Sequence, residues 1–257
     1  TLLINRGKAA AVGEAWSGAA RDVDSSVCLY VSTGISAGIV IGRELYRGRS
    51  MSEGEIGHTT VLPDGPLCVC GNRGCLLTMA ASPAILSHVR ECLRATLPTL
   101  HQALLDDQPD GLTLEAIGAA AAAGNAAVLE ALDGVAKYLG IAVANLVDIL
   151  DPEMVVLGGP AILALPMLVP RIEAVVRRRA VWVSAPSVEI LASQLGRDAV
   201  AIGAAAYLLS HSSIVTPTSE YSFAPTPSPL PPPSAAPTMS AAEPLLLSTG
   251  LAGEAVR

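Results

Sequence analysis

Four residues have the types and spacing to hold a metal ion. His58, Cys68, Cys70 and Cys75 fall in the run GHTTVLPDGPLCVCGNRGC. Three thiolates and one imidazole complete a tetrahedral set for Zn²⁺ and leave no position for water. A closed set of this kind is structural and activates no nucleophile. Gly71 and Gly74 flank the tight loop that would fold these ligands onto one ion, and Pro63 and Pro66 stiffen its approach. The first two cysteines are separated by one residue, where the commoner zinc knuckle has two. The competing reading is three buried or redox-active cysteines beside an unrelated histidine; zinc is the preferred one. Cys28 and Cys92, in a strand and a helix, read as inert core thiols.

The composition sets limits on the rest. The chain has 257 residues, with 16 Lys and Arg against 23 Asp and Glu, for a net charge of -7. That balance argues against the chain alone binding nucleic acid, because phosphate contacts need a basic patch. The one basic run, Arg177 to Arg179, reads as a solvated helix end. Hydrophobic residues make up 51% but aromatics only 3%, so the core must be built from Ala, Val, Leu and Ile. A domain of this size hides roughly 70% of its unfolded surface, enough for a real core. The apolar stretches are too short or too broken for a membrane span, which needs about 20 residues. No secretory signal is visible, and three cysteines crowded together suit a reducing compartment, so a cytoplasmic protein is expected.

Mixed α/β elements must position the metal ligands. A domain is expected over 1–211. From about Ser212 the chain turns to Pro, Ser, Thr and Ala, and nine of its 19 prolines lie from Pro217 onward. The segment 212–257 is therefore read as a disordered tail, with at most a weak helix over Leu245 to Arg257. Within the domain, a helix is expected over Ala9 to Ala20 with Trp16 on its buried face. Val27 to Val31 reads as a strand. The turn STGISAG and a second strand from Ile39 make a hairpin that returns through Arg43, Glu44 and Leu45. Ser82 reads as an N-cap with Pro83 at the first helical position. Thr113 caps the next helix, which stops near Gly124. Apolar spacing predicts a helix over Ala126 to Leu150. Strands are expected at Met154 to Leu157 and Val188 to Leu191, and helices at Leu168 to Arg179 and from Asp198 to about Leu209.

At this point a family likeness emerges. The stretch SEGEIGHTTVLPDGPLCVCGNRGCL resembles the signature of the ROK family, which contains bacterial sugar kinases and sugar-responsive repressors. The likeness runs back through NRGKAAAVGEAW and STGISAG and forward through LDPEMVVLGGPAI, covering about Asn5 to Leu209. The resemblance implies an actin-like, ribonuclease-H-like α/β ATPase fold in two lobes with a sugar between them. It implies structural zinc at His58, Cys68, Cys70 and Cys75. It also makes Asn5, Glu55 and His58 candidate sugar contacts. A carboxylate on a metal-anchored segment can accept two hydroxyl hydrogen bonds at little entropic cost.

The sequence departs from the family pattern in four ways. Family kinases carry an Asn-Asp pair whose Asp is the general base; here the pair is Asn5-Arg6, followed by Gly7-Lys8. A guanidinium stays protonated and cannot be a base. The family commonly has Glu two residues past the last zinc cysteine, and here that position is Leu77. The phosphate turn is richer in Gly in the family; here Ser32 and Ser36 flank Thr33 and Gly34. Gly158-Gly159-Pro160 matches the adenosine-side loop, although an ordinary strand-to-helix turn reads the same way. Finally, the likeness begins partway into the family fold, with no first phosphate loop and no helix-turn-helix. The chain is thus expected to represent mainly the C-terminal lobe.

These departures favour the sugar-sensing, oligomerising portion of a ROK-type transcriptional regulator. It would bind a sugar or sugar phosphate, form a homo-oligomer, and touch DNA only through a segment outside this chain. The alternative is an ATP-dependent kinase acting on a hexose or N-acetylhexosamine. A zinc-held structural remnant without ligand is a third reading. Ala-rich helices from Ala116 to Leu150 are the surfaces expected to self-associate.

Overall fold

The computed structural model describes residues 3–96, 111–181 and 185–211. The tail from residue 212, including the expected weak helix at its end, lies outside the described residues. The chain divides at Ala224–Pro225, and every described residue belongs to the first unit.

Five strands form one sheet: β1 (Ser26–Val31), β2 (Ile35–Ile41), β3 (Glu44–Leu45), β4 (Met154–Gly158) and β5 (Glu189–Ala192), in the order β3-β2-β1-β4-β5. β2 pairs antiparallel with β1 and β3, whereas β1, β4 and β5 run parallel. This is the ribonuclease-H-like arrangement that the family resemblance implied. Strand periodicity sends alternate side chains to opposite faces. Val27, Leu29, Val31, Val155 and Leu157 enter the larger core, while Cys28, Met154 and Val156 enter a smaller Ala-rich one.

The larger core is closed by α2 (Leu76–Ala80), α3 (Ser82–Thr96), α4 (Leu114–Ala122), α5 (Ala126–Leu150), α6 (Pro160–Ala164) and α7 (Leu168–Arg179). The smaller is closed by α1 (Arg6–Ser17) and α8 (Ala199–His211). Thr113 Oγ1 caps α4 by accepting from Ala116 N at 3.1 Å, and Asn125 Oδ1 caps α5 by accepting from Val128 N at 3.0 Å. The apolar face of α5, from Val128 through Leu132, Leu139 and Val143 to Val147, is buried within the chain itself. Among the described residues, no helix is long and apolar enough to cross a membrane.

Several boundaries differ from the sequence reading. α1 begins at Arg6 with Asn5 as its cap, three residues earlier than expected. Its buried run is Gly7 to Ala15, so Trp16 lies past the last buried turn and is 38% exposed, not on the buried face. β2 starts at Ile35, making the hairpin loop four residues shorter than the glycines suggested. Ser82 is not a cap. It sits inside the first turn of α3, its backbone N–H donates to Ser32 O at 2.8 Å, and Ala81 O accepts from Ile85 N instead. Arg177 is more than a solvated helix end, since it donates to Glu173 and to the backbone at Val188 and Ala185.

One buried carboxylate ties the small core together. Glu14 is fully buried. It accepts from Ser193 Oγ at 2.5 Å, Ala19 N at 2.8 Å and Leu195 N at 3.1 Å, joining α1 to the loop before α8. Removing it would leave those donors without partners. Glu14→Ala is expected to destabilise the protein by about 3 kcal/mol, read as a lower urea midpoint at unchanged slope. Burial pushes the Cys28 thiol pKa far up, and the nearby Glu14 charge adds to this, so Cys28 is an unreactive core thiol.

Candidate metal centre and ligand cleft

The segment that carries Glu55 and His58 is pinned to the sheet. Gly54 has φ +80, and Ala37 N donates to its carbonyl at 2.7 Å; a Cβ at this position would overlap Ala37 O. Only glycine fits both the backbone angle and the close approach. A single 3-10 turn over Ile56–His58 follows, with Ile56 buried in the larger core. The loop beyond it closes on itself. Thr60 bridges to Cys75 and Leu67 to Arg73, while Cys68 N donates to Asn72 O at 2.8 Å. The next residue, Leu76, is fully buried, so both ends of the loop are rooted in one core.

Folding in this way gathers His58, Cys68, Cys70 and Cys75, whose ligand atoms all lie within 4.8 Å of one another. Cys68 Sγ is 3.5 Å from His58 Nδ1, and Cys70 Sγ is 3.6 Å from Cys75 Sγ. A tetrahedron of thiolates at the usual Zn–S length of about 2.3 Å has edges of about 3.8 Å, so the donor set fits such an ion in both chemistry and size. The two outer thiols differ. The backbone N–H of Asn72 leads a set of hydrogen bonds that lower Cys70, which is exposed, to about 7. Burial, reinforced by the neighbouring cysteines, raises Cys75 to about 12. Cys92 is half-buried against the larger core, away from this cluster.

The expected sugar contacts also come together. Asn5 Nδ2 donates to Glu55 Oε1 across 3.5 Å, although 50 residues separate them in sequence. Asn5 Oδ1 accepts from Gly7 N at 2.8 Å and from Ser36 Oγ at 3.1 Å. Glu55 and Asn5 are both exposed, while His58 is half-buried behind Glu55 on the same turn. Leu77 packs against the larger core and presents no acceptor.

Arg6 stands next to this cluster with its guanidinium carbon 6.0 Å from the centre of the Tyr30 ring. The two glycine turns meet at the carboxyl ends of β1 and β4. Thr33 and Gly34 form the tip of the β1–β2 turn, where Ser32 N donates to Gly34 O at 2.8 Å. Gly158 ends β4, and Gly159, with φ +92, lies so close to Val31 that a Cβ there would overlap the Val31 carbonyl. Beside them is a cavity of about 300 Å³ lined by Tyr30, Glu115, Gly159, Pro160, Leu163, Gly196 and Arg197. The crevice past the carboxyl ends of parallel strands is where open α/β sheets bind ligands.

Three features of the cleft were missed in the sequence. Ser36, read as a weakened phosphate turn, is an Asn5 partner in β2. Lys8, read only as added positive charge, is buried against Glu53 at 2.6 Å and donates to Met51 O at 2.7 Å. Tyr30 supplies the ring beneath Arg6. Alternation in β1 places Tyr30 on the α1 side, but the Lys8–Glu53 pairing spans 45 residues and leaves no local signal.

The model of the ROK family matches residues 2–211. A xylose repressor of Caldicellulosiruptor bescii is 33% identical over 206 residues, covering 80% of this chain and 51% of the repressor. A glucokinase of Halalkalibacterium halodurans is 36% identical over 204 residues, covering 79% of this chain and 61% of the glucokinase. This chain thus spans about half the length of the repressors it matches. Among solved structures, a ROK family glucokinase from Streptomyces griseus in complex with glucose and AMPPNP superposes with a TM-score of 0.73 at 32% identity, covering 79% of this chain and 66% of that one. A ROK family transcriptional regulator, a homologue of the E. coli MLC protein, gives 0.71 at 33% identity, covering 79% and 50%.

Proposed function

This chain belongs to the ROK family, and on that footing we propose that it is the sugar-sensing, oligomerising portion of a transcriptional regulator and does not transfer phosphate. The carrying observation is Arg6. It occupies the position where family kinases place their base, directly after Asn5 at the head of α1. A guanidinium cannot accept the hydroxyl proton. Repressors and glucokinases match at similar identity, so the relatives by themselves favour neither class.

In this reading residues 1–211 form the ROK-type domain, with 212–257 outside it. Asn5, Glu55 and His58 hold sugar hydroxyls. His58, Cys68, Cys70 and Cys75 hold a structural zinc that fixes the turn bearing Glu55. The turns at Thr33–Gly34 and Gly158–Gly159 shape the cleft without clamping a nucleotide for reaction. The protein works in the cytoplasm as a homo-oligomer, and a helix-turn-helix segment outside this chain makes the DNA contact. Sugar binding shifts the population of oligomer states that differ in the spacing of those segments.

Glu55→Gln is expected to weaken binding of glucose or xylose at least 10-fold while the melting temperature stays within about 2 °C, because Glu55 is exposed and supports no core contact. Calorimetric titration beside a thermal melt checks this. For the function itself, the gene is expressed with its upstream reading frame and assayed twice. Sequence-specific DNA binding altered by a sugar supports the regulator. Phosphorylation of a hexose by ATP at ordinary enzymatic rates overturns it and installs the kinase reading.

A further inference from the structure

Two ties join the first turn of α1 to the segment that carries Glu55, and they are unequal. One is the hydrogen bond from Asn5 Nδ2 to Glu55 Oε1, which spans 3.5 Å and is exposed. A bond that long and that wet adds little rigidity. The other tie lies deeper. Lys8 follows Asn5 by three residues, so both side chains leave one face of α1. Glu53 precedes Glu55 by two residues in one loop. Lys8 Nζ is 2.6 Å from Glu53 Oε1, and each of these side chains is only 7% exposed. The same ammonium donates to Met51 O at 2.7 Å. It thereby grips the middle of a stretch without regular structure. Residues 46–55 run from β3 to the 3-10 turn, with left-handed φ at Met51 and Gly54. The two ends of the stretch are pinned to β2, since Tyr46 N donates to Ile39 O at 2.8 Å and Ala37 N to Gly54 O at 2.7 Å. Near its start, Arg47 rests on the Tyr207 ring.

Glu53 Oε2 meets no donor, so Lys8 alone compensates this buried carboxylate. A buried ion pair adds little stability over apolar side chains of the same volume, but it demands one geometry. We propose that Lys8 and Glu53 are positioning residues for the cleft: their buried contact sets the place of Glu55 relative to Asn5, so that both reach one ligand together. The proposal rests on the sugar-cleft reading above and adds two residues that act through Glu55. The loss expected on breaking the pair is bounded by what Glu55 itself contributes, about 10-fold in affinity.

The test titrates the full chain with glucose and xylose by calorimetry, beside a thermal melt. In Lys8→Met/Glu53→Met, apolar side chains of similar length replace the pair among surroundings that already include Ile4, Leu45, Met51 and Tyr207. This variant is expected to melt within about 2 °C of the wild type, yet to bind the sugar about 5- to 10-fold more weakly. Lys8→Arg keeps the charge, and the cavity of about 510 Å³ beside the pair leaves it room, so binding should stay within about threefold of wild type. The deciding measurement adds Glu55→Gln. Without the Glu55 carboxylate the pair has nothing to position, so the double replacement should cost less than about twofold more in that background. Additive losses, about 50- to 100-fold in all, overturn the proposal and leave the sugar cleft intact. Unchanged binding by Lys8→Met/Glu53→Met overturns it too, as does Lys8→Arg binding as weakly as the double replacement. Should the double replacement fail to fold, Glu53→Gln, which keeps an acceptor oxygen, goes through the same cycle. A loss of about threefold or more that vanishes beside Glu55→Gln supports the pair, and no loss, or one that persists, overturns it. If the wild-type chain binds neither sugar, the sugar-cleft reading itself fails and takes this proposal with it.

Discussion

Replacing Cys70 with Ser is expected to strip the metal and lower the melting temperature by roughly 6–12 °C. The cluster has four ligands and no spare. Ser cannot supply a thiolate, and the remaining His58, Cys68 and Cys75 leave one vertex of the tetrahedron open. Without an ion, two of the three cysteines are buried thiols, and burial holds Cys75 at about 12, protonated at neutral pH. The loop has little else to fold around: its tip residues Leu67 and Val69 are 65% and 91% exposed. Its roots, by contrast, are Ile56 and Leu76 of the main core. Metal binding at such a site is folding free energy, so its loss reaches the core. If about 3 kcal/mol is lost, a domain of this size melts roughly 6–12 °C lower. Elemental analysis should find about one zinc per wild-type chain and none in the variant. Sugar or sugar-ester binding should fall in parallel, since Glu55 and His58 share one 3-10 turn. A Cys70→Ser protein that melts as the wild type does and retains its metal would refute the site.

Gly203→Ala is expected to be as damaging, for a reason that has nothing to do with chemistry at the cleft. α1 and α8 pack backbone to backbone through small residues. A Cβ on Gly203 would overlap the Ala9 carbonyl oxygen and stand 2.6 Å from the Ala9 carbonyl carbon and 2.7 Å from Gly13 N. Those neighbours are helix backbone and cannot rotate aside. From the other helix, a Cβ on Gly13 would overlap Ala199 O. Separating the pair would open voids under Ala10, Ala11 and Ala15, which have no larger side chain to refill them. Overpacking of this type costs about 3 kcal/mol, or a melting temperature lower by roughly 6–12 °C. Gly34→Ala is the control: nothing lies within 4 Å of a Cβ there, so its melt should be unchanged. Equal melts for the two variants would show that the helices can part cheaply.

What the sequence made legible follows from the range of the interaction behind each feature. The bounds of α5 and α7 agree with the spacing of their apolar residues, and the cap at Thr113 is a local hydrogen bond. The metal ligands stand out because three thiols and an imidazole within a short run have few other uses. Trp16 was misplaced because Ala-rich α1 has almost no polar face to set its phase; nine consecutive residues, Gly7 to Ala15, are buried. Ser82 looked like a cap because Pro83 follows it, but Ala81 already takes that role between two abutting helices. The contacts of Asn5 with Ser36 and Glu55, and of Lys8 with Glu53, are made only when α1 docks on β2, and no window of sequence contains both partners.

The glycine contact between the first and last helices also has a mechanical meaning. Two rods whose backbones touch have no slack between them, so neither can tilt or slide alone. The head of α1 carries Arg6 and Asn5, and α8 ends at His211. A push on that head therefore has no gap between the two helices in which to be absorbed and bears directly on α8.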